Sequence, residues 1–249
     1  MKKIQLPLFA LAFLSIAVLA CSITIPYGSN PGTIRGSGNM TTEERSVSGI
    51  KAVELAMNGS LHIEYGDTEA LTVKAEDNLL PYIETLMRGN TLLIRVEPGA
   101  NFQTNRSIDF TLTVTELTDL SVSSSGDISA SALDGSRCSV DISSSGSIDL
   151  DAVNCTTLTV SISSSGGVNI ASGYVEQQSI RISSSGDYDA RDVEGRDADI
   201  TISSSGSATV RSSDRLTGTI SSSGNIYYFG DPRVEVRTTS SGDVERLGN

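Results

Sequence analysis

The groups in this sequence that could act as nucleophiles are serines in a recurring tetrapeptide. Ser-Ser-Ser-Gly occurs six times, and a shortened copy, Ser-Ser-Gly, follows. We call each copy of this motif a serine word, and the words end at Gly126, Gly146, Gly166, Gly186, Gly206, Gly224 and Gly242. A serine attacks a substrate only when a base removes its proton, usually a histidine. The single histidine, His62, lies between Leu61 and Ile63 on the polar side of a predicted strand. Because no Gly-x-Ser-x-Gly elbow occurs either, we predict no catalytic residue and no enzymatic activity.

Carboxylates two positions apart are the second set of residues that could do chemistry. Asp149 is paired with Asp151, and Asp187 with Asp189. Such pairs can act as acid and base on a sugar, or bind Ca²⁺ through oxygen. Outward acids on a strand are usually solvated, and the sequence has no calcium-binding nonapeptide or EF-hand loop. We predict no metal and no cofactor, while a calcium site and a sugar-cleaving site stay open as alternatives.

Regular strands must position the serine words, because apolar residues alternate around each of them. In steps of two from Gly126, one face collects Leu120, Val122, Ile128 and Ala130, and the next two repeats keep this alternation. The middle serine of each word falls on the apolar face, and the flanking serines fall on the polar one. A disordered serine-rich linker would not hold β-branched residues at a strict period of two.

The spacing of the words predicts how the strands stack. Successive word-ending glycines are 20 residues apart four times and then 18 residues apart twice, a period at which each repeat forms one unit of a stacked array. We predict an all-β fold, a single-stranded right-handed parallel β-helix (solenoid) with coils of about 20 residues. The words form its corners, where glycine permits a close approach or a positive φ. The corner residues are Ser124, Gly126, Ser144, Gly146, Ser164, Gly166, Ser184, Gly186, Ser204, Gly206, Ser222, Gly224, Ser240 and Gly242.

The N-terminal residues predict where the protein is located. Lys2 and Lys3 precede an apolar stretch that ends in Ala20-Cys21, a pattern typical of a secretion signal. A cysteine directly after a small residue resembles the lipobox of bacterial lipoproteins, which implies cleavage after Ala20 and lipid attachment at Cys21. We predict a lipoprotein signal peptide at 1–20, a lipid-anchored flexible linker at 21–42 and a β-helix domain at 43–249, with the Ser-Gly repeats at 118–249. An uncleaved anchor and an ordinary signal peptide are the alternatives.

The acidic charge of the chain limits which partners it can bind. The net charge is −12, and it becomes −14 when two lysines leave with the signal peptide, which disfavours nucleic acid as a partner.

In coil register, Cys138 aligns with Leu158 and Cys155 aligns with Gly135. This three-residue offset favours two unbridged cysteines, a buried Cys138 and a loop Cys155, and leaves a disulfide open as the alternative.

Several segments resemble a known family. They are Val47-Ser48-Gly49-Ile50-Lys51-Ala52-Val53, Tyr65-Gly66-Asp67, Ala75-Glu76-Asp77-Asn78-Leu79-Leu80, Gly89-Asn90-Thr91-Leu92 and the Ser-Gly-Asp-Ile coils. Over about residues 45–248 the sequence resembles the auto-transporter adhesin head GIN domain family. The resemblance implies a β-helix of the bacterial envelope with no assigned biochemical role.

The predicted location and the polar faces of the coils together suggest a function. We expect a non-enzymatic, lipid-anchored protein of the bacterial cell envelope, facing the periplasm or the cell surface, that acts as an adhesin-like interaction module. Its expected partners are the membrane, through the N-terminal lipid, and a glycan or an envelope protein. The alternatives are a polysaccharide-binding or polysaccharide-processing β-helix and a self-assembling envelope scaffold. The oligomeric state stays open.

Overall fold

A computed structural model describes residues 32–249 of the chain, and nearly all of its regular structure is β-strand. The predicted signal peptide, the cleavage site after Ala20, Cys21 and the linker up to residue 31 lie outside the described residues. Within residues 32–249 no helix is long and apolar enough to cross a membrane. The strands are β1 (Ile34–Arg35), β2 (Met40–Arg45), β3 (Ala52–Ala56), β4 (Ser60–Tyr65), β5 (Ala70–Glu76), β6 (Ile83–Arg88), β7 (Thr91–Val96), β8 (Phe102–Gln103), β9 (Asp109–Val114), β10 (Asp119–Val122), β11 (Asp127–Ala130), β12 (Leu133–Ile142), β13 (Ser147–Leu150), β14 (Val153–Ile162), β15 (Gly167–Ile170), β16 (Gly173–Ile182), β17 (Asp187–Ala190), β18 (Val193–Ile202), β19 (Ser207–Arg211), β20 (Arg215–Ile220), β21 (Asn225–Phe229), β22 (Arg233–Thr238) and β23 (Asp243–Gly248).

Two large sheets run along the stack of coils. The ten-stranded sheet has the order β6-β7-β3-β10-β12-β14-β16-β18-β20-β22, and the eleven-stranded sheet has the order β2-β5-β9-β4-β11-β13-β15-β17-β19-β21-β23. From β10 onward each strand pairs in parallel with its counterpart one coil away, as Val140 does with Val160. The predicted parallel solenoid with coils of about 20 residues is confirmed.

The repeats stack on an end coil that comes from an earlier part of the chain. β7 and β9 form this end coil, and β3 and β4 form the next one, which pairs in parallel with both β7 and β9 on one side and with β10 and β11 on the other. Antiparallel pairing of β6 with β7 and of β5 with β9 closes the end. A single 3-10 turn at Leu80–Tyr82 precedes β6.

The ordered domain begins earlier than the sequence predicted. Ile34 and Arg35 pair with β8, and all six residues of β2 pair with β5, so much of the predicted linker after residue 31 is part of the sheets. β2 lies at the edge of its sheet, and its side chains are nearly all exposed. Because only its backbone is used for pairing, its sequence lacks the apolar alternation that would have revealed a strand.

The interior is a set of stacked apolar rows. One row contains Val122, Ile142, Ile162, Ile182 and Ile202, each no more than 1% exposed. Full burial of one such side chain contributes about 1.5–3 kcal/mol. The rows give each coil a reason to stack on the next, since a single coil could not bury its own apolar face.

Cys138 and Cys155 form a disulfide, so the prediction of two unbridged cysteines was wrong. Their Cα atoms are 6.2 Å apart and both residues are buried. The predicted alignment with Leu158 and Gly135 is present. Three residues along a straight strand would span about 10 Å. In β14, however, two consecutive residues after Cys155 face outward before burial resumes, and this change of phase brings the two sulfur atoms toward the same part of the interior.

One polar pair interrupts the apolar interior. The hydroxyl of Tyr188 donates to Oε1 of Gln178 at 2.9 Å, and both residues are buried. The next coil has Ala208 beside Tyr188 and Ala198 beside Gln178, so small residues offset the two large ones. Burial raises the pKa of the Tyr188 phenol above its ordinary value, with a smaller contribution from the nearby charge of Asp189.

Candidate interaction surfaces

The serine words lie at the corner that joins the two large sheets. In the third coil of the stack, β10 ends at Val122, the chain bends at Ser124 and Ser125, and β11 begins at Asp127. The middle serines from Ser124 to Ser222 are half-buried, whereas Ser240 in the last coil is exposed. Ser124 donates to Oδ1 of Asn58 at 3.2 Å. Within residues 32–249 the middle serines do not hydrogen-bond to one another, so they do not form a hydroxyl ladder.

The corner glycines are placed where the backbones of successive coils approach. A Cβ added to Gly186 would lie 2.6 Å from the carbonyl oxygen of Gly166 and 2.8 Å from that of Ser164. Gly206, Gly224 and the other corner glycines meet the preceding coil in the same way. None of these seven glycines, all within the described residues, has a positive φ. The corner therefore requires glycine for its missing side chain rather than for a left-handed backbone.

His62 lies on the exposed face of the eleven-stranded sheet, beside a serine that is not part of any word. Its Nδ1 is 3.0 Å from Oγ of Ser129. Along this outward row the order is His62, Ser129 and Asp149, one residue from each of three successive coils. In a catalytic triad the histidine stands between the serine and the carboxylate. Here Ser129 occupies the middle, so Asp149 is not placed to orient His62 as a base for Ser129.

Three of the four paired carboxylates are engaged by neighbouring groups. Asp149 accepts a hydrogen bond from Nδ2 of Asn169 at 3.4 Å, and Asp187 accepts from the backbone N–H of Ser207 at 3.2 Å. Asp189 forms an ion pair with Arg191, and this contact raises the pKa of the Arg191 guanidinium. Among residues 32–249 no three histidine, cysteine or acidic side chains are grouped so that they could hold a metal ion.

A groove at the end coil was not predicted from the sequence. Residues 97–108 join β7 to β9 at the corner that a repeat turns in residues 123–126. This long connection, which we call the corner loop, borders a cavity of about 500 Å³. The apolar part of its lining is Ala56, Met57, Val96, Ala100, Phe102 and Ile108. The unusual length of the connection, with an aromatic residue in a polar stretch, is the signal that could have drawn attention to it.

Comparison with known families agrees with this architecture. The model of the family described as "Putative auto-transporter adhesin, head GIN domain" matches residues 50–232. The chain belongs to this family. The resemblance identified from the sequence is confirmed, and the family places this GIN domain among adhesin-type proteins, a class found outside the cell or in its envelope.

Solved structures share the fold of this GIN domain. A "putative adhesin" from Bacteroides fragilis NCTC 9343 aligns with a TM-score of 0.79 and 17% identity, over 86% of this chain and 100% of its own. A "putative lipid binding protein" from Parabacteroides distasonis ATCC 8503 aligns with a TM-score of 0.72 and 24% identity, over 86% and 99%. A "putative adhesin" from Parabacteroides merdae ATCC 43184 has a TM-score of 0.68 and 20% identity, over 86% and 99%. At these identities the similarity shows the fold alone. No functionally curated protein is significantly similar in sequence.

The ten-stranded sheet of the GIN domain carries a group of exposed ion pairs near its C-terminal end. Nε of Arg196 lies 3.3 Å from a carboxylate oxygen of Asp214, and its Nη1 lies 3.2 Å from one of Glu176. The hydrogen bond to Asp214 and the nearby carboxylates raise the pKa of Arg196. Because all these groups are exposed, solvent screens their attraction. Arg215 and Arg233 on this sheet are paired with acids as well, Arg215 with Asp197 and Arg233 with Glu235.

Proposed function

We propose that this chain is a non-enzymatic, lipid-anchored bacterial cell-envelope protein that acts as an adhesin-like interaction module. Its membership of an adhesin family supports a binding role. The acids that could have served a hydrolase lie in pairs on two coils that are not adjacent, and Asp149 and Asp187 are engaged by neighbouring coils. Such an arrangement suits contact with a partner better than conversion of a substrate.

The observation that carries this proposal is the outward face of the eleven-stranded sheet. Its central coils carry only short side chains in two rows, which repeat at the spacing of hydrogen-bonded strands, about 4.8 Å. The rows are Asp127, Ser147, Gly167, Asp187 and Ser207, and Ser129, Asp149, Asn169 and Asp189. Short polar side chains on a regular sheet leave the surface even, so a partner would gain its affinity from many small contacts.

The anchor is supported by the apolar segment that ends in Ala20-Cys21. Cells producing the full-length chain are grown with an alkyne analogue of palmitate. We expect label on the wild-type protein in the membrane fraction, and an unlabelled protein when Cys21→Ser is produced. Since a single acyl chain binds a membrane only reversibly, the multiply acylated form is expected to resist a salt wash. An unlabelled wild-type protein, or a labelled Cys21→Ser variant, would contradict the anchor.

Adhesion through the outward face of the eleven-stranded sheet is tested with bacteria that display the full-length chain on their surface. The number of attached cells is measured in glycan-coated wells and in albumin-coated wells. The variant Ser129→Arg/Asp149→Arg/Asn169→Arg should lose adhesion, because it places three long charged side chains in the outward row that begins at Ser129. Asp149→Asn alone should keep most of it.

The matched control is Ser121→Arg/Asp141→Arg/Ser161→Arg, which adds the same three side chains to an outward row of the ten-stranded sheet. This variant should adhere like the wild type. Equal losses in both triple variants, or complete loss from Asp149→Asn, would oppose binding by the face.

A further inference from the structure

The corner loop turns the end coil into a groove. In a repeat, four residues form the corner. In the end coil, residues 97–108 form it instead, and a cavity of about 500 Å³ lies between this longer loop and the corners of the next two coils. Met57 and Asn58 belong to the corner of the second coil, and Ser124 belongs to that of the third. The cavity therefore extends across three coils at one corner, and its volume lies in the range of small-molecule sites.

The wall of the groove is fixed by contacts outside it. The backbone N–H of Ile34 donates to the carbonyl of Asn101 at 2.8 Å, and that of Gly36 donates to the carbonyl of Gln103 at 3.0 Å. The hydroxyl of Thr104 donates to the buried carboxylate of Glu76 at 2.5 Å. The ring of Phe102 meets that of Tyr82 edge-on, with centroids 6.4 Å apart. A loop held in this way loses little conformational freedom when it binds a ligand.

The polar part of the lining carries no charge. Although the chain has 30 acidic residues, the polar side chains that line the groove are only amides and hydroxyls: Asn58, Asn101, Gln103, Thr104 and Ser124. Asn58 accepts from Ser124 through Oδ1. Among the described residues, the Nδ2 group of Asn58 and the side-chain amides of Asn101 and Gln103 donate to no protein atom. These amides remain available to a ligand.

Charged groups are present nearby, but in a separate cavity. That cavity, of about 450 Å³, is lined by Arg35, Glu76 and Arg106 and shares only Gln103 and Thr104 with the groove. Glu76 is occupied there by Thr104 and by the backbone N–H of Gly38. The groove itself thus presents apolar carbon and uncharged donors and acceptors.

We propose that this groove binds a neutral saccharide unit. A pyranose ring has an apolar face that can lie against Phe102 and Met57, and hydroxyls around its rim that can bond to the free amides of Asn101 and Gln103. An anionic ligand would find no cation in the lining. An acyl chain would leave the amides without partners. A peptide strand would need a free sheet edge several residues long, and β8 has only two residues.

Isothermal titration of the full-length chain in detergent tests the inference. The probes are maltose, lactose and N,N′-diacetylchitobiose, with glucuronic acid, the neutral peptide tetra-alanine amide and lysophosphatidylcholine as comparison ligands. We expect saturable binding of at least one disaccharide, with a Kd on the order of 1 mM. Asn101→Ala/Gln103→Ala should weaken it about tenfold, because two hydrogen-bonding groups are removed.

A matched variant, Asn154→Ala/Gln177→Ala, removes the same two side chains from exposed positions on the ten-stranded sheet and should bind like the wild type. The inference is overturned if no disaccharide binds at about ten times the expected Kd. It is also overturned if the groove variant binds as well as the wild type, or if the peptide or the lipid binds while the sugars do not.

The inference gives a ligand class to the proposed interaction module and rests on that proposal, but the two can fail separately. Adhesion that depends on the outward row and survives Asn101→Ala/Gln103→Ala would keep the proposed function and locate it away from the groove. Saccharide binding in titration without adhesion by displaying cells would keep the groove and remove the adhesin role.

Discussion

Adding one methyl group at a corner should have a much larger effect than adding it to the next residue. A Cβ on Gly166 would lie 2.6 Å from Cγ2 of Ile142 and 2.9 Å from the carbonyl oxygen of Ser144, and closer still to the carbonyl oxygen of Gly146. A Cβ on Gly167 would meet only the carbonyl oxygen of Asp187, at 3.9 Å. Overpacking of this kind costs about 1–3 kcal/mol. The Gly146 backbone belongs to the neighbouring coil and can move only with it, so we expect a value near the upper end.

The Gly-to-Ala change also restricts the unfolded chain, which stabilises the folded state by about 0.4–1 kcal/mol wherever the backbone tolerates alanine. Gly166→Ala should therefore lose about 2 kcal/mol net, whereas Gly167→Ala should be neutral or slightly stabilised. For a domain of this size, 2 kcal/mol corresponds to a Tm lower by about 4–8 °C. Thermal unfolding followed by far-UV circular dichroism measures both variants. Equal midpoints for Gly166→Ala and Gly167→Ala would refute the steric explanation of the corner.

Three further predictions concern the bridge, the buried phenol and the interior pair. Reduction of the disulfide, whose cysteines are 17 residues apart, should lower the free energy of unfolding by about 3 kcal/mol in urea titrations; no change on reduction would contradict the bridge. The folded state raises the pKa of Tyr188, so its stabilising effect is complete below the ordinary phenol pKa of 10.0 and declines as pH rises above it. Tyr188→Phe should flatten that decline, and an unchanged slope would oppose it. Gln178→Ala should cost about 1–3 kcal/mol, because it leaves the buried Tyr188 hydroxyl without its acceptor; Gln177→Ala, at an exposed neighbouring position, is its control.

The repeats could be predicted because each coil states the same pattern again. The alternation around Gly126 recurs one coil later around Gly146, so an accidental match in one coil is exposed by the next. The end coil has no such redundancy. Its strands β7 and β9 come from between β4 and β10 in the chain and take their place by pairing with β3 and β4, which no local pattern specifies.

The candidate sites were predicted less well than the fold, for reasons that are also physical. The offset between Cys138 and Cys155 was measured along a strand taken as straight, and the change of inward phase after Cys155 shortened the real separation. The groove draws on Met57, Phe102 and Ser124, residues far apart in sequence that converge only after the coils are stacked. The contact of His62 with Ser129 depends on the same stacking.

The pairing of β1 with β8 has a mechanical consequence. Tension transmitted along the chain from its N-terminal side enters the described structure at residue 32 and reaches β1 before any other strand. β1 holds the corner loop through the carbonyls of Asn101 and Gln103. β2, the next strand to be loaded, has six paired positions with β5 and would resist longer. Force on the N-terminal end would thus detach the wall of the groove while the stacked coils stay intact, so a load on the proposed anchor would open the proposed saccharide site before it unfolds the domain.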